Sequence, residues 1–472
     1  MNKKDNRIFL SGICGTAMAS LAGMLKARGH EVSGSDAAVY PPMSTFLEEL
    51  GIPVFEGFSE RNIERSGPDL VVIGNVLSRG NPEVEHVLDS GIRYASMAET
   101  VKELFIRGKR SIVVTGTHGK TTTAAILAWI LESADRAPSF LAGGVTGNFG
   151  SSFQLGEGDD FVIEGDEYDT AFFDKGPKFL HYLPRIALIK NIEFDHADIY
   201  QDLEAIKLSF KRFINIVPRA GLIVAGVGSP AVAELLAGAR SRVATFGLEQ
   251  GEWQARRIVP EGGGTRFDVL LRGKFWSNFH IPLMGRFNVL NTLSAIVAAD
   301  EVGVSPDEIQ TALTGFKNVR RRLEVCGTVG GITVYDDFAH HPTAVRETLG
   351  GVRAQFPDTR IWAVFEPRSQ TSRRRIFEDA FVEALGLADV AIIAPVHSPE
   401  HLESSDVLSP ERLVRKVTEN GGQAHTYGST AEIVNFVAAN ARNGDHVVIM
   451  SNGAFDGIHK KLLDSLGAAN RQ

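Results

Sequence analysis

The segment Gly116-Thr117-His118-Gly119-Lys120-Thr121-Thr122-Thr123 follows the apolar run Ser111-Ile112-Val113-Val114-Thr115 and leads into Ala124 to Leu131, apolar at helical spacing. A β-branched run, a glycine loop and an amphipathic stretch in that order fold as strand, loop and helix. The arrangement aims backbone N–H groups and a helix N-terminus at one point, where phosphate oxygens bind. In such a loop Lys120 reaches the outer phosphates and the Thr121 hydroxyl coordinates Mg²⁺. The general pattern has a glycine where this chain has Val114, so the loop is a shortened variant whose first glycine is Gly116. Gly-Lys-Thr between strand and helix outweighs a ligand-free glycine turn. The sequence therefore predicts a parallel α/β domain that binds ATP or GTP.

The rest of the chain repeats this alternation of short β-rich runs and helices, which builds parallel sheets covered on both faces. With 472 residues it is long enough for several cores. A first segment, 1–108, carries strands at Ile8–Leu10, Glu31–Ser33 and Asp69–Ile73 and a helix at Ala17–Ala27. A second, 109–325, continues from the phosphate loop through strands Phe161–Ile163 and Ile186–Ile189 and helices Leu203–Ile214 and Val289–Val302. Trp253 to Leu283, β-branched and aromatic around Gly262-Gly263-Gly264, reads as an antiparallel excursion. The third, 326–472, alternates strands Ile332–Tyr335, Ile361–Phe365, Val390–Ile393 and Val447–Met450 with helices Thr343–Ala354 and Arg375–Leu385. The prediction is three consecutive α/β domains, Rossmann-like at both ends with a P-loop ATPase domain between them.

Gly12-Ile13-Cys14-Gly15-Thr16-Ala17-Met18 opens a helix after the first strand, as a dinucleotide fingerprint does. Cys14 and Ala17 replace the second and third glycines, and Gly15 takes over part of their role. Asp36, preceded by Ser35, stands where an acidic residue bonds a ribose hydroxyl. An NAD dehydrogenase would leave the second nucleotide loop unexplained. A domain for a nucleotide-linked substrate ahead of a domain for ATP explains both.

A net charge of −8 argues against a broad nucleic-acid surface. Cys14 and Cys326 are the only cysteines and offer neither a disulfide framework nor a metal quartet, which suits a reducing cytosol. The mildly basic stretch Met1–Arg7 runs straight into a strand and reads as no signal peptide. No apolar run is long enough to span a bilayer. The basic clusters Arg320-Arg321-Arg322 and Arg373-Arg374-Arg375 are short and local.

Two acid-rich turns, Glu164-Gly165-Asp166-Glu167 and Asn191-Ile192-Glu193-Phe194-Asp195-His196, end strands of the central sheet, the edge where such folds keep their sites. Mg²⁺ prefers carboxylate, water and phosphate oxygens, so Glu164 belongs near Thr121. His196 shares that edge. Asn288 and Asn291 inside a helix run against propensity, which suggests amides turned to a ligand, with polar surface as the alternative.

Gly116 to Thr123, Glu164 to Glu167, Asp195-His196, Gly285-Arg-Phe-Asn288 with Asn291, Arg321-Arg322, and Asp336-Asp337-Phe-Ala-His340-His341-Pro342 together resemble, in order and over the whole chain, the Mur ligases. These are the ATP-dependent amide-forming enzymes of bacterial peptidoglycan synthesis. The resemblance implies an N-terminal UDP-sugar domain, a central ATPase domain and a C-terminal domain that brings the amine. It places ATP on Gly116, Thr117, His118, Gly119, Lys120, Thr121, Thr122, Asn291, Arg322, Asp337 and His340, with Lys120, Glu164 and His196 catalytic and Mg²⁺ on Thr121, Glu164 and His196. The UDP-sugar falls to Gly12, Cys14, Gly15, Thr16, Ala17, Met18, Ser35 and Asp36. Gly12 to Met18, Asp36 and the Asp-Asp-Phe-Ala-His-His-Pro stretch are similar to the UDP-N-acetylmuramate branch.

Within that branch four features favour a member adding the murein tripeptide L-alanyl-γ-D-glutamyl-meso-diaminopimelate over one adding L-alanine. They are Cys14, an insertion-like Phe173–Tyr182, Glu366-Pro367-Arg368-Ser369 and Ser451-Asn452-Gly453. A tripeptide carries several carboxylates, and Arg368 and Arg374, just past the strand ending at Phe365, are the expected receptors. Both gain weight because a cation at a helix start opposes the dipole. Lys207 and Lys211 are the nearby candidates for the carbamylated lysine of other family members, which this branch generally lacks. The resemblance further implies a cytoplasmic enzyme with no nucleic-acid or membrane partner, a monomer or weak homodimer. A nucleotide-gated regulator that lost catalysis and a folylpolyglutamate synthase-like ligase are the other readings. Lys120, Thr121, Glu164, His196 and Asp337 argue against the first, and the Gly12 loop against the second.

Overall fold

The computed structural model describes residues 6–41, 43–197, 199–398 and 406–469. Residues 1–5 of the basic N-terminal stretch lie outside them. Strands such as Leu70–Ile73 and Ile186–Ile189 are apolar at every position and buried at every position, the signature of a parallel sheet covered on both faces. Three such sheets follow one another along the chain. The first is five-stranded and runs in space Val54–Glu56, Glu31–Asp36, Arg7–Ser11, Leu70–Ile73, Tyr94–Ser96, all parallel. Its order reverses beside Arg7–Ser11, which opens a crevice at the Gly12 loop.

The central sheet has ten strands. Arg110–Thr115, the strand ahead of the phosphate loop, lies in its middle between Asp160–Glu164 and Ile186–Ile189. Both acid-rich turns therefore flank the loop directly. Trp253–Glu261, Gly264–Leu271 and Lys274–Ile281 extend one edge as an antiparallel meander, as the sequence predicts. Helices Lys120–Ser133 and Arg286–Glu301 pack into one apolar cluster, with Leu127 and Ile296 wholly buried. The insertion-like segment Phe173–Tyr182 supplies the second strand of a hairpin, Asp174–Pro177 against Asp169–Ala171, followed by a 3₁₀ turn Lys178–His181 that buries Phe179.

The third sheet has six strands, ordered Glu324–Val329, Ile332–Asp337, His446–Met450, Ile361–Phe365, Val390–Ile393, Gln423–Thr426. All pairs are parallel except the first. Cys326 sits exposed in that antiparallel edge strand. The helix expected from Arg375 is different: Arg375–Phe377 is a 3₁₀ turn and the α-helix begins at Glu378, with Glu378 and Asp379 in its first turn. The dipole reasoning for Arg368 and Arg374 does not hold, because acids rather than arginines occupy the helix start.

Side-chain contacts join the first two domains. Ser20 and Ser152 share a hydrogen bond at 2.7 Å, and Phe46 packs edge-on to Phe153 at 6.4 Å. Among the described residues no helix is long and apolar enough to cross a membrane.

Candidate active site

The phosphate loop takes its shape from its neighbour. Gly116 has φ 130°, and a Cβ there would stand 3.1 Å from the Asn191 backbone. The Thr117 amide donates to Asn191 O at 3.0 Å and the His118 amide to Asn191 Oδ1 at 2.8 Å. Gly119, at φ 77°, caps the helix Lys120–Ser133 and leaves that helix's first amides turned to the cleft.

Lys120 bonds back to Gly116 O at 2.9 Å and to both oxygens of Glu167, at 3.1 and 2.8 Å. Burial works against the ammonium, but Glu167, Asp166 and Glu164 outweigh it and hold its pKa above the usual lysine value. Glu167 is 2% exposed and also lies 3.4 Å from His196 Nε2. Burial penalises this carboxylate too, and its two cations still keep it ionised. His196 has φ 53°, fixed by its amide donating to Asp195 Oδ1 at 2.7 Å. Burial opposes its charge and the bond to Glu167 restores it, leaving the imidazole pKa raised.

Thr121 Oγ1 donates to Glu164 Oε1 at 3.0 Å, and Gly143 N to Glu164 Oε2 at 2.7 Å. Burial, and then Asp166, push the Glu164 carboxyl up. A half-buried hydroxyl–carboxylate pair crowded by a second acid fits a hard divalent cation. The sequence singles out Glu164, Thr121 and His196 as one set. The structure joins Glu164 to Thr121 and brings His196 to Glu167, which sequence reasoning missed although its motif was in view. Lys207 pairs with Glu204 and Glu234 at 2.8 and 2.6 Å, and Lys211 is exposed.

The C-terminal domain closes the cleft. Arg322, just ahead of the third sheet's first strand Glu324–Val329, reaches Thr121 Oγ1 with its Nη2 at 3.4 Å. Asp337 holds the turn carrying that arginine, accepting Leu323 N at 2.7 Å and Ala339 N at 2.8 Å. His340 Nδ1–H donates to Phe338 O at 3.0 Å, and burial keeps the imidazole neutral. Between the domains lies a cavity of about 730 Å³ lined by Gly119, Thr122, Lys190, Asn291, Arg322 and Asp337 among others. Asn291 faces it, bonded to Lys190 and, through its amide, to Asn288 Oδ1 at 2.9 Å. Asn288 itself ties back to Met284 O at 2.8 Å, so half of that pair is architectural.

Beside this cavity His118, Glu193 and His341 bring their ligand atoms within 4.8 Å of one another. His341 has no lone pair to give a metal. Its Nδ1 accepts the Thr343 amide at 3.2 Å and its Nε2–H donates to Phe194 O at 3.2 Å. Thr343 Oγ1 donates to Glu193 Oε2 at 2.6 Å, and Thr371 Oγ1 to Asp195 Oδ1 at 2.5 Å. The loop 191–196 is thus the seat of the C-terminal domain. Burial, helped by His118, lowers the His341 pKa to about 4. Glu193 falls to about 2, because its His118 and Thr343 bonds overcome burial.

In the first domain Gly12 (φ 82°) and Ile13 donate backbone N–H bonds to Ser35 O at 2.8 and 3.0 Å, and Cys14 N donates to Asp36 Oδ2 at 2.8 Å. Asp36 therefore shapes the loop. Gly15 and Thr16 are exposed, Cys14 and Ala17 half-buried, and Met18 faces the core. Ser35 is wholly buried and donates to Glu83 Oε2 at 2.6 Å, so its hydroxyl is spent inside the domain.

At the far edge, Asp337, Met450 and Phe365 share one register position across three adjacent strands. Just beyond it Ser451 Oγ donates to Glu366 Oε2 at 2.5 Å, Arg368 Nη1 lies 3.7 Å from Glu366 Oε1, and Arg321 donates to Ser451 O and Gly453 O, each at 2.7 Å. A Cβ on Gly453 would overlap the Arg368 guanidinium. The structure thus brings together two segments that are distant in sequence, and Asn452 Oδ1 is buried beside them without a partner among the described residues. Arg374 is elsewhere, bridged to Val407, while buried Arg373 anchors His397 O and Ser398 O at 3.1 and 2.7 Å.

Three α/β domains, a phosphate loop opposite acids and an arginine at its mouth define the class: an ATP-dependent ligase. Residues 8–109 match the Mur ligase family catalytic domain, 114–299 the Mur ligase middle domain and 321–453 the Mur ligase glutamate ligase domain. The chain belongs to the Mur ligase family. It is 46% identical, over 98% of both chains, to the Escherichia coli UDP-N-acetylmuramate–L-alanyl-γ-D-glutamyl-meso-2,6-diaminoheptandioate ligase. A murein peptide ligase crystal structure from Psychrobacter arcticus shares 37% identity over 98% of each chain, with a TM-score of 0.72. The Thermotoga maritima UDP-N-acetylmuramate–alanine ligase superposes at a TM-score of 0.81 over 98% of this chain and 99% of its own, but at 22% identity that likeness speaks for the fold alone.

Proposed function

We propose that this enzyme joins UDP-N-acetylmuramate to L-alanyl-γ-D-glutamyl-meso-diaminopimelate with ATP, returning a murein tripeptide to cell-wall synthesis in the cytoplasm. What carries the reading is the full-length likeness to the tripeptide ligases. The cluster of Glu366, Arg368, Ser451 and Gly453 adds a charged, partly buried receptor where the peptide would enter.

A carboxylate does not acylate an amine in water, because oxide would have to leave. In the proposed reaction a muramate carboxylate oxygen bonds to the γ-phosphorus as its bond to the β-bridging oxygen breaks, and ADP departs. The peptide amine then attacks the acyl carbon, and phosphate leaves as the amine loses a proton. Lys120, held in place by Glu167, neutralises charge on the transferring group. Thr121 and Glu164, with His196 near, would hold Mg²⁺, which neutralises phosphate charge when bound. Arg322 reaches in from the C-terminal domain, so seating of that domain completes the site and excludes water from the acyl phosphate. Gly12 to Met18 with Asp36 would hold the UDP-sugar.

Incubation with ATP and UDP-N-acetylmuramate, offering the tripeptide or L-alanine in turn, tests the reading. ADP release and a UDP-muramyl-tripeptide product are expected with the tripeptide. A higher kcat/KM with L-alanine overturns the choice of amine and keeps the rest.

A further inference from the structure

Lys190 follows the buried strand Ile186–Ile189 and is 6% exposed. Its amine contacts two oxygens, the His118 carbonyl at 3.3 Å and the Asn291 amide oxygen. Both are uncharged. A Cβ on Gly119 would overlap the same amine, so Lys190 Nζ lies against the residue that caps the phosphate-loop helix. The charged groups around it are two cations, Lys120 and Arg322, and one acid, Glu164. Burial and then Lys120 keep its pKa well below the usual lysine value.

A lysine buried beside two other cations, with no carboxylate bonded to it among the described residues, weakens the protein that carries it. Two neutral oxygens do not compensate, and an uncharged side chain would pack the position better. The position makes sense if an anion arrives. The cavity the amine lines also contains Thr122 and Asn291 and opens on the N-terminus of the phosphate-loop helix. We propose that Lys190 is a nucleotide-binding residue, a second lysine beside Lys120 that contacts the polyphosphate of bound ATP or ADP. The proposal rests on the ligase reading only for the claim that a nucleotide occupies this cavity.

Lys190→Met tests it by calorimetry with ADP and with AMP in the presence of Mg²⁺, and by thermal unfolding without nucleotide. Loss of one charge-assisted phosphate contact should weaken ADP about 10- to 100-fold and AMP much less. The loss should appear in the KM for ATP more than in kcat, and the unfolding midpoint should stay or rise as a buried cation disappears. A lysine kept for structure predicts the reverse, a lower midpoint with ADP affinity intact, and that result overturns the proposal. Equal losses for ADP and AMP also overturn it, since Lys190 would then act through Asn291 on the nucleoside. If Lys190→Met does not fold, Lys190→Gln keeps a donor for His118 O and removes the charge; weakened ADP then supports the proposal and unchanged ADP overturns it. Wild-type protein that binds no ADP would defeat the ligase reading itself, a separate outcome.

Discussion

Glu167 shows how one buried carboxylate can organise a phosphoryl-transfer site. It holds the Lys120 ammonium and the His196 ring together, and it stays ionised because both are near. Lys120→Ala and Glu164→Gln should each abolish ADP formation while UDP-N-acetylmuramate still binds by calorimetry, since neither touches the first domain's loop. Comparable loss of sugar-nucleotide affinity would place the substrates in the wrong domains. His341 gives a pH signature. Its folded pKa of about 4 lies below the 6.5 of the unfolded chain, so the unfolded chain takes up a proton first as pH falls. The stability it contributes is complete above pH 6.5 and is lost as pH drops toward 4, about 3 kcal/mol in all. Unfolding midpoints measured from pH 7 to 4.5 should fall in the wild type and less steeply in His341→Gln. Lys120, Thr121 and Glu164 were legible because motif and strand order fix where they lie. Glu167 and Lys190 were not, since nothing local tells which acid of a motif turns inward or that a strand-end lysine finds only uncharged oxygens.

Strands and helices were read well where burial imposes a pattern. Ile186–Ile189 and Ile361–Phe365 have the predicted bounds, because a strand covered on both faces must be apolar throughout. The start of the helix at Glu378 was misplaced, because Arg375-Ile376-Phe377 has no capping residue to mark the change from 3₁₀ turn to helix. In the first domain, Glu83 accepts from Ser11 Oγ at 2.7 Å, Ser35 Oγ at 2.6 Å, Asn62 Nδ2 at 2.9 Å and Ser59 N at 3.2 Å, fastening two strand ends to two helices. Nothing in the local sequence marks this glutamate, and only the fold reveals the donors around it. Glu83→Ala would strand those donors in an apolar interior and should cost about 3–5 kcal/mol in urea unfolding. A loss under 1 kcal/mol would mean that water enters and replaces the carboxylate.

Across the molecule, chemistry is divided among domains, the third seated on loop 191–196 of the second. We assign the choice of amine to the third. Arg368→Ala should lower kcat/KM for the tripeptide about tens- to a hundredfold, the cost of one bidentate contact at about 2–3 kcal/mol, and any reaction with L-alanine less. Equal losses for both amines would make Arg368 a structural partner of Glu366 only. The nucleotide cavity needs two domains at once: Gly119 and Thr122 form one wall, Arg322 and Asp337 the other. Measured nucleotide affinity is therefore the intrinsic affinity scaled by the fraction of molecules whose third domain is seated. Thr371 bonds Asp195 from the third domain and is absent from the cavity wall, yet Thr371→Val should weaken ADP binding by reducing that fraction. By reciprocity, bound nucleotide should hold the third domain down and protect the amides of loop 191–196 from hydrogen exchange.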